Sequence, residues 1–155
     1  MDKIIFLDID GVMATEFKEV ESDNRCKFEG HAVKMLNLLI SRSNAKIVIS
    51  STWRHGQTVE DLQNIFKLRG FKYPEAIIDK TPNLREHDYI YRGNEIQAWI
   101  NKNIKYEDRD KFNFCIIDDD SDMLLWHSKY FVKTNSDDGL TGSVMERVLT
   151  ILNGT

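Results

Sequence analysis

The chain has 155 residues, with 21 Lys and Arg against 25 Asp and Glu, giving a formal charge of −4. A chain this long is expected to form one domain, spanning 1–155, that buries roughly 68–70% of its unfolded surface. Its 41% hydrophobic and 30% charged residues exclude a disordered chain, and its mild acidity excludes a generally basic coat for nucleic acid or membrane.

The first apolar run, at 3–8, predicts a strand. The polar, acidic stretch 13–29 follows as a flap or short hairpin. Residues 30–42 place Val33, Leu36 and Leu39/Ile40 on one helical face, and 46–50 is a second strand. Residues 59–69 repeat the helical pattern with Leu62 and Ile65/Phe66; Thr58 with Asp61 resembles a capping box, and Gly70 supplies a stop. A weaker strand at 76–79 precedes a helix at 94–104, which carries Ile96 and Trp99/Ile100. Strands at 112–117 and 130–133 enclose a short helix at 121–127, and a helix at 143–152 closes the chain.

The stronger strand runs are nearly continuous in apolar residues, as expected for strands covered on both faces. Alternating strands and helices predict a Rossmann-like, doubly wound α/β fold of about five parallel strands with right-handed crossovers. No apolar run approaches a membrane span or a signal peptide, so no membrane partner is expected. Cys26 and Cys115 form no C-x-x-C pair and read as reduced, buried thiols of a cytoplasmic protein.

Ligands of such sheets bind at the carboxyl ends of the strands. The first strand runs into Asp8-Ile-Asp-Gly-Val12, where Asp8 and Asp10, two residues apart in extended chain, face the same way. Gly11 lets the chain turn sharply. Two carboxylates at a buried strand end repel each other, and a divalent cation is the commonest way to hold them there. The fourth strand ends in Asp118-Asp-Asp-Ser-Asp122, and the second in Ser50-Ser-Thr52, whose hydroxyls can donate to an anionic oxygen.

Three segments together, Phe6-Leu-Asp-Ile-Asp-Gly-Val12, Val48-Ile-Ser-Ser-Thr-Trp-Arg54 and Cys115-Ile-Ile-Asp-Asp-Asp-Ser-Asp122, resemble the haloacid dehalogenase-like (HAD) phosphohydrolases. The Ser-Ser-Thr-Trp-Arg wording and Asp138-Gly-Leu-Thr141 look most like the small HAD domains of Swiss Army knife RNA-repair proteins. The resemblance implies a phosphatase in which Asp8 is the nucleophile that becomes an aspartyl-phosphate. Asp10 is then the general acid and base. It implies Mg²⁺ held by the Asp8 side chain, the Asp10 carbonyl and Asp118 or Asp119, with Asp122 acting through water. Ser50 would bind a phosphoryl oxygen, and either Arg92 or Lys80 would be the neutralising cation. Asp120 is left to the surface or to capping, shared with Ser121.

Only about 40 residues separate Asp10 from Ser50, and a helix and a strand occupy much of them, so a full cap domain does not fit. Capless relatives have open clefts that suit phosphorylated macromolecules. Ser51, Trp53, Arg54 and Lys80 are therefore candidate substrate-binding residues, with His55 beside them. Tyr89, Tyr91 and Arg92 form a second aromatic-basic group. The expected substrate is a phosphorylated one: a nucleic-acid end or nucleotide, or alternatively a phosphoprotein. The competing reading is a non-catalytic HAD-like binding module. An EF-hand at 118–129 is excluded because Met123 stands where Gly is needed and Lys129 where Glu is needed.

Overall fold

Alternate residues of each central strand enter two different cores, which explains the nearly continuous apolar runs. The computed structural model describes residues 2–15, 20, 25–84 and 90–154. Its sheet contains β1 (Lys3–Leu7), β2 (Lys46–Ile49), β3 (Ile77–Lys80), β4 (Asn113–Asp118) and β5 (Phe131–Lys133). The order is β3-β2-β1-β4-β5 and every neighbouring pair is parallel. Ile5, Leu7, Ile47, Ile49 and Ile117 pack against α1 (Gly30–Ser43), α2 (Val59–Leu68) and α4 (Gly142–Asn153). Ile4, Phe6, Val48 and Ile116 face the other way, onto Ile96, Trp99 and Ile100 of α3 (Arg92–Asn103). Phe6 is fully buried, edge-on to Trp99 at 5.4 Å and to Phe114 at 5.9 Å. Burying such a ring contributes about 1.5–3 kcal/mol.

The capping box at α2 is present: Asp61 N donates to Thr58 Oγ1 at 3.0 Å, and Thr58 N donates to Asp61 Oδ2 at 2.8 Å. Two boundaries differ from expectation. α3 begins at Arg92 instead of Asn94, because Asp122 accepts from N-terminal amides that have no partner within the helix: Arg92 N at its side chain, Gly93 N at its carbonyl. The same contacts pull 121–124 across the end of α3, so the expected helix at 121–127 is replaced by a 3-10 helix at Leu125–Tyr130. Gly93 permits that approach, since a Cβ there would lie 2.5 Å from Leu124 N.

Most of the expected flap, residues 16–19 and 21–24, lies outside the described residues, as does Tyr89. Both cysteines are free; Cys115 is buried, but Cys26 is only partly covered. Among the described residues, no helix is long and apolar enough to cross a membrane.

The strand ends are level. The ladder continues one residue past each strand: Asp8 N donates to Ile117 O, Ser50 N to Leu7 O, Thr81 N to Ile49 O and Thr134 N to Asp118 O. Asp8, Ser50, Thr81, Asp118 and Thr134 are thereby drawn up along one edge.

Candidate active site

Asp8 is the centre of that edge. Carboxylate oxygens of Asp8, Asp118 and Asp119 all lie within 4.8 Å of one another. Arg92 faces them, its Nη1 3.8 Å from Asp8 Oδ1 and its Nε 3.7 Å from Asp118 Oδ2. A cation in the first turn of a helix opposes the helix dipole, so local preference does not place Arg92 there; its contacts with the acids do. Lys80 is two strands away and donates instead to the carbonyls of Arg54 and Gln57. Arg92 is the cation at the acid cluster, and Lys80 is not.

Burial raises the pKa of Asp8, with Arg92 pulling the other way. Burial likewise raises that of Asp118, the Asp8 charge adds to the rise, and Arg92 again opposes it. One guanidinium is insufficient for three clustered carboxylates. Asp118 Oδ2, Arg92 Nη1 and Ser50 Oγ are buried, and none has a hydrogen-bond partner among the described residues. Buried polar atoms are rarely left so. An acceptor without a donor suits a cation, while a donor pair without an acceptor suits an anion. The residues present therefore fit both a hard divalent ion and a phosphoryl group.

The turn after Asp8 directs Asp10 elsewhere. Ile9 O accepts from Val12 N, Met13 N and Ala14 N, which closes a tight loop. Gly11 sits within it at φ +77°, and a Cβ there would come 2.2 Å from Asp119 Oδ2. The Asp10 side chain is exposed and lies outside the acid cluster, with both oxygens 3.1 Å from Trp53 Nε1. Trp53 rests on Phe28 at 5.7 Å, with the guanidinium groups of Arg25 and Arg69 over its ring at 5.6 and 5.5 Å.

Several expected site residues are instead committed to the scaffold. Arg54 is 2% exposed. It pairs with Glu95 Oε2 at 2.7 Å and donates to the carbonyls of Ser50, Ser51, Thr81 and Pro82. Such a buried, fully engaged guanidinium ties β2, β3 and α3 together and does not face substrate. The Ser51 hydroxyl accepts from Trp53 N at 3.3 Å, capping the turn at Thr52–Arg54. Asp122 lies outside the cluster of Asp8, Asp118 and Asp119, and its Oδ2 accepts from Arg92 N at 3.0 Å, capping α3. Asp120 is exposed, in line with the surface role expected of it, and accepts from Ser121 N; no helix begins there for it to cap.

The 138–141 segment is also structural: Leu140 N donates to Val12 O, and Thr141 Oγ1 caps α4. Sequence reading missed Thr134, whose hydroxyl donates to Gly11 O at 2.8 Å while its amide holds Asp118 O. It joins the loop carrying Asp10 to the strand carrying Asp118. Its signal was weaker than that of Ser50: it is the first residue after the fifth strand, but the charged Lys133 precedes it, so no apolar run ends directly on it. Glu95 had no comparable signal beyond sharing a helical face with Arg92.

A level parallel edge, with paired acids on its first strand, a hydroxyl on the second and a cation facing acids on the fourth, defines a HAD-type hydrolase domain. Residues 4–144 match the family described as the HAD domain in Swiss Army Knife RNA repair proteins, and the chain belongs to that family. No curated protein matches it. Among solved structures, a HAD superfamily (subfamily III A) hydrolase from Legionella pneumophila is similar at 14% identity. The alignment covers 99% of this chain and 84% of that one, with a TM-score of 0.48.

Proposed function

We propose that this chain is a Mg²⁺-dependent phosphomonoester hydrolase that works through an aspartyl-phosphate on Asp8. The observation that carries the reading is the Asp8–Arg92–Asp118 contact, with the Ser50 hydroxyl, which has no partner among the described residues, at the end of the adjacent strand. Asp8, Asp118 and Asp119, together with the Asp10 carbonyl, would hold the cation. When bound, Mg²⁺ offsets carboxylate charge and polarises the phosphoryl oxygens.

Asp8 attacks phosphorus in line, forming a carboxylate O–P bond as the P–O bond to the leaving group breaks. The leaving oxygen keeps that electron pair and takes a proton from Asp10. Asp10 then accepts a proton from water, which attacks the phosphorus of the acyl-phosphate, frees Asp8 and releases inorganic phosphate. Arg92 and Ser50 donate to the non-bridging oxygens throughout, and Arg92 offsets their charge.

A phosphorylated nucleic-acid end or nucleotide is the substrate class this reading favours. It is supported by the family's description as RNA-repair domains and by the cavity that Asp10, Arg25 and Trp53 line beside the nucleophile. The test is hydrolysis of an aryl phosphate, nucleotides and phosphorylated DNA and RNA ends, with and without Mg²⁺. Turnover that needs Mg²⁺ and disappears in Asp8→Asn is expected. No turnover on any of them would favour a binding role instead.

A further inference from the structure

Two cavities open at the strand-end edge and share His55. One, of about 310 Å³, is lined by Asp10, Arg25, Thr52, Trp53 and His55. The other, of about 340 Å³, lies between β3 and α3 and is lined by His55, Lys80, Thr81, Trp99 and Lys102 among others. The first adjoins Asp10, where the proposed mechanism puts the leaving group. The Thr81 end of the second lies two strands from Asp8, roughly 10 Å away at ordinary strand spacing, and the cavity extends from there along α3 to Lys102.

The second cavity has the chemistry of an anion site. The Thr81 hydroxyl is buried, Thr81 being 2% exposed, and has no hydrogen-bond partner among the described residues. Thr81 also sits level with Ser50, one strand further along the same edge. Among the described residues the edge thus presents two buried hydroxyls without a partner, one at the phosphoryl site and one at this cavity. Lys102 adds an exposed ammonium from α3. Lys80 uses two of its three N–H donors on carbonyls, which leaves one for a ligand. Trp99 Nε1 donates to Asp79 Oδ2 at 2.8 Å, which engages the acid beside Lys80.

We propose that the cavity lined by His55, Lys80, Thr81 and Lys102 is a second phosphate subsite, holding a phosphodiester of a polynucleotide whose phosphorylated end lies at Asp8. The proposal rests on the phosphohydrolase reading for the position of that end. The terminal nucleoside occupies the cavity beside Trp53, and the chain continues past His55 toward α3. A mononucleotide reaches only the first cavity, whereas a dinucleotide reaches both.

The test uses Asp8→Asn protein with Mg²⁺, to bind substrate without turnover. Uridine 3′- and 5′-monophosphate are compared by calorimetry with uridine dinucleotides phosphorylated at the same end. For one of the two polarities the dinucleotide should bind about 10-fold or more tighter, the scale of one charge-assisted contact. Lys102→Gln and Thr81→Val, the second nearly isosteric, should each erase most of that increment. Lys102→Gln should also reduce the slope of log K against log salt by roughly 0.7.

Equal affinity for mono- and dinucleotides of both polarities would overturn the proposal. So would a loss in Lys102→Gln that is the same for both lengths, or inorganic phosphate competing equally well at the second cavity. The phosphohydrolase reading fails separately, through an inert wild-type enzyme in the aryl-phosphate assay. A length increment that Lys102→Gln erases would still support the subsite.

Discussion

Trp53 holds Asp10 by a single forked hydrogen bond, its indole N–H lying 3.1 Å from each carboxylate oxygen. The two residues come from the ends of neighbouring strands, and the indole is anchored in turn on Phe28. The side chain assigned to proton transfer is thus aimed by a residue that does not itself react. Trp53→Phe keeps an aromatic ring against Phe28 and removes the donor together with one ring of the indole. It should lower kcat for an alkyl phosphate by about 10-fold, against about 10²–10⁴ for Asp10→Asn. With an aryl phosphate, whose leaving oxygen needs little proton assistance, both losses should shrink. Equal losses on the two substrates would place Trp53 in general scaffolding.

Asp118 sets function against stability. Its pKa is raised by burial and by Asp8, so the folded protein binds that proton more tightly than the unfolded chain. The folded form is therefore penalised as pH rises above the ordinary carboxylate range, where the unfolded chain has already released the proton. Asp118→Asn removes the penalty while the amide oxygen can still accept from Asp120 N, a 2.9 Å contact in the native chain. At pH 8 without Mg²⁺ the variant should be more stable than the wild type by on the order of 2 kcal/mol, or roughly 4–8 °C in Tm. The difference should vanish near pH 3. Added Mg²⁺ should raise the wild-type Tm and leave the variant nearly unmoved, while activity in the variant is lost. Thermal melts at the two pH values decide it; a less stable variant at pH 8 would contradict the origin assigned to the strain.

Much of this was legible because strands are periodic and their ends are marked. Asp8, Ser50 and Asp118 each stand where an apolar run meets polar residues, and parallel pairing brings those points to one edge. Arg92 against Lys80 was not decidable along the chain. Both are cations close to strand or helix ends, and only the packing of α3 across the sheet brings one of them to Asp8. Arg54 and Ser51 misled for a related reason. They sit beside the working hydroxyl in sequence, yet a 3-10 turn directs one into carbonyls and makes the other a cap.

Gly11 is required twice over. At φ +77° a side chain is strained, and a Cβ would come 2.2 Å from Asp119 Oδ2. Gly11→Ala should fold with a cost of about 1–3 kcal/mol and displace Asp119 from the acid cluster. The Mg²⁺ concentration for half-maximal activity should rise about 10–100-fold, as when a metal site loses an orienting group. Saturating Mg²⁺ should recover most of kcat. A titration superimposable on the wild type would remove Asp119 from the metal site.

Arg54 distinguishes scaffold from substrate contact most directly. Its buried guanidinium joins Glu95 on α3 to carbonyls at the ends of β2 and β3. Glu95 lies one turn beyond Arg92 on α3, so the pair helps set where Arg92 stands relative to Asp8. Lysine offers three donors on a flexible stem and cannot reproduce the planar fork. Arg54→Lys should therefore lose about 2–4 kcal/mol of stability, because Glu95 stays buried with poorer compensation. Paired replacement by Arg54→Met and Glu95→Leu should recover part of that loss, since no charge is then left buried. A ligand of substrate phosphate would behave oppositely, with KM rising and Tm unchanged. Chemical denaturation of the single and paired variants, set beside their KM values, separates the two roles.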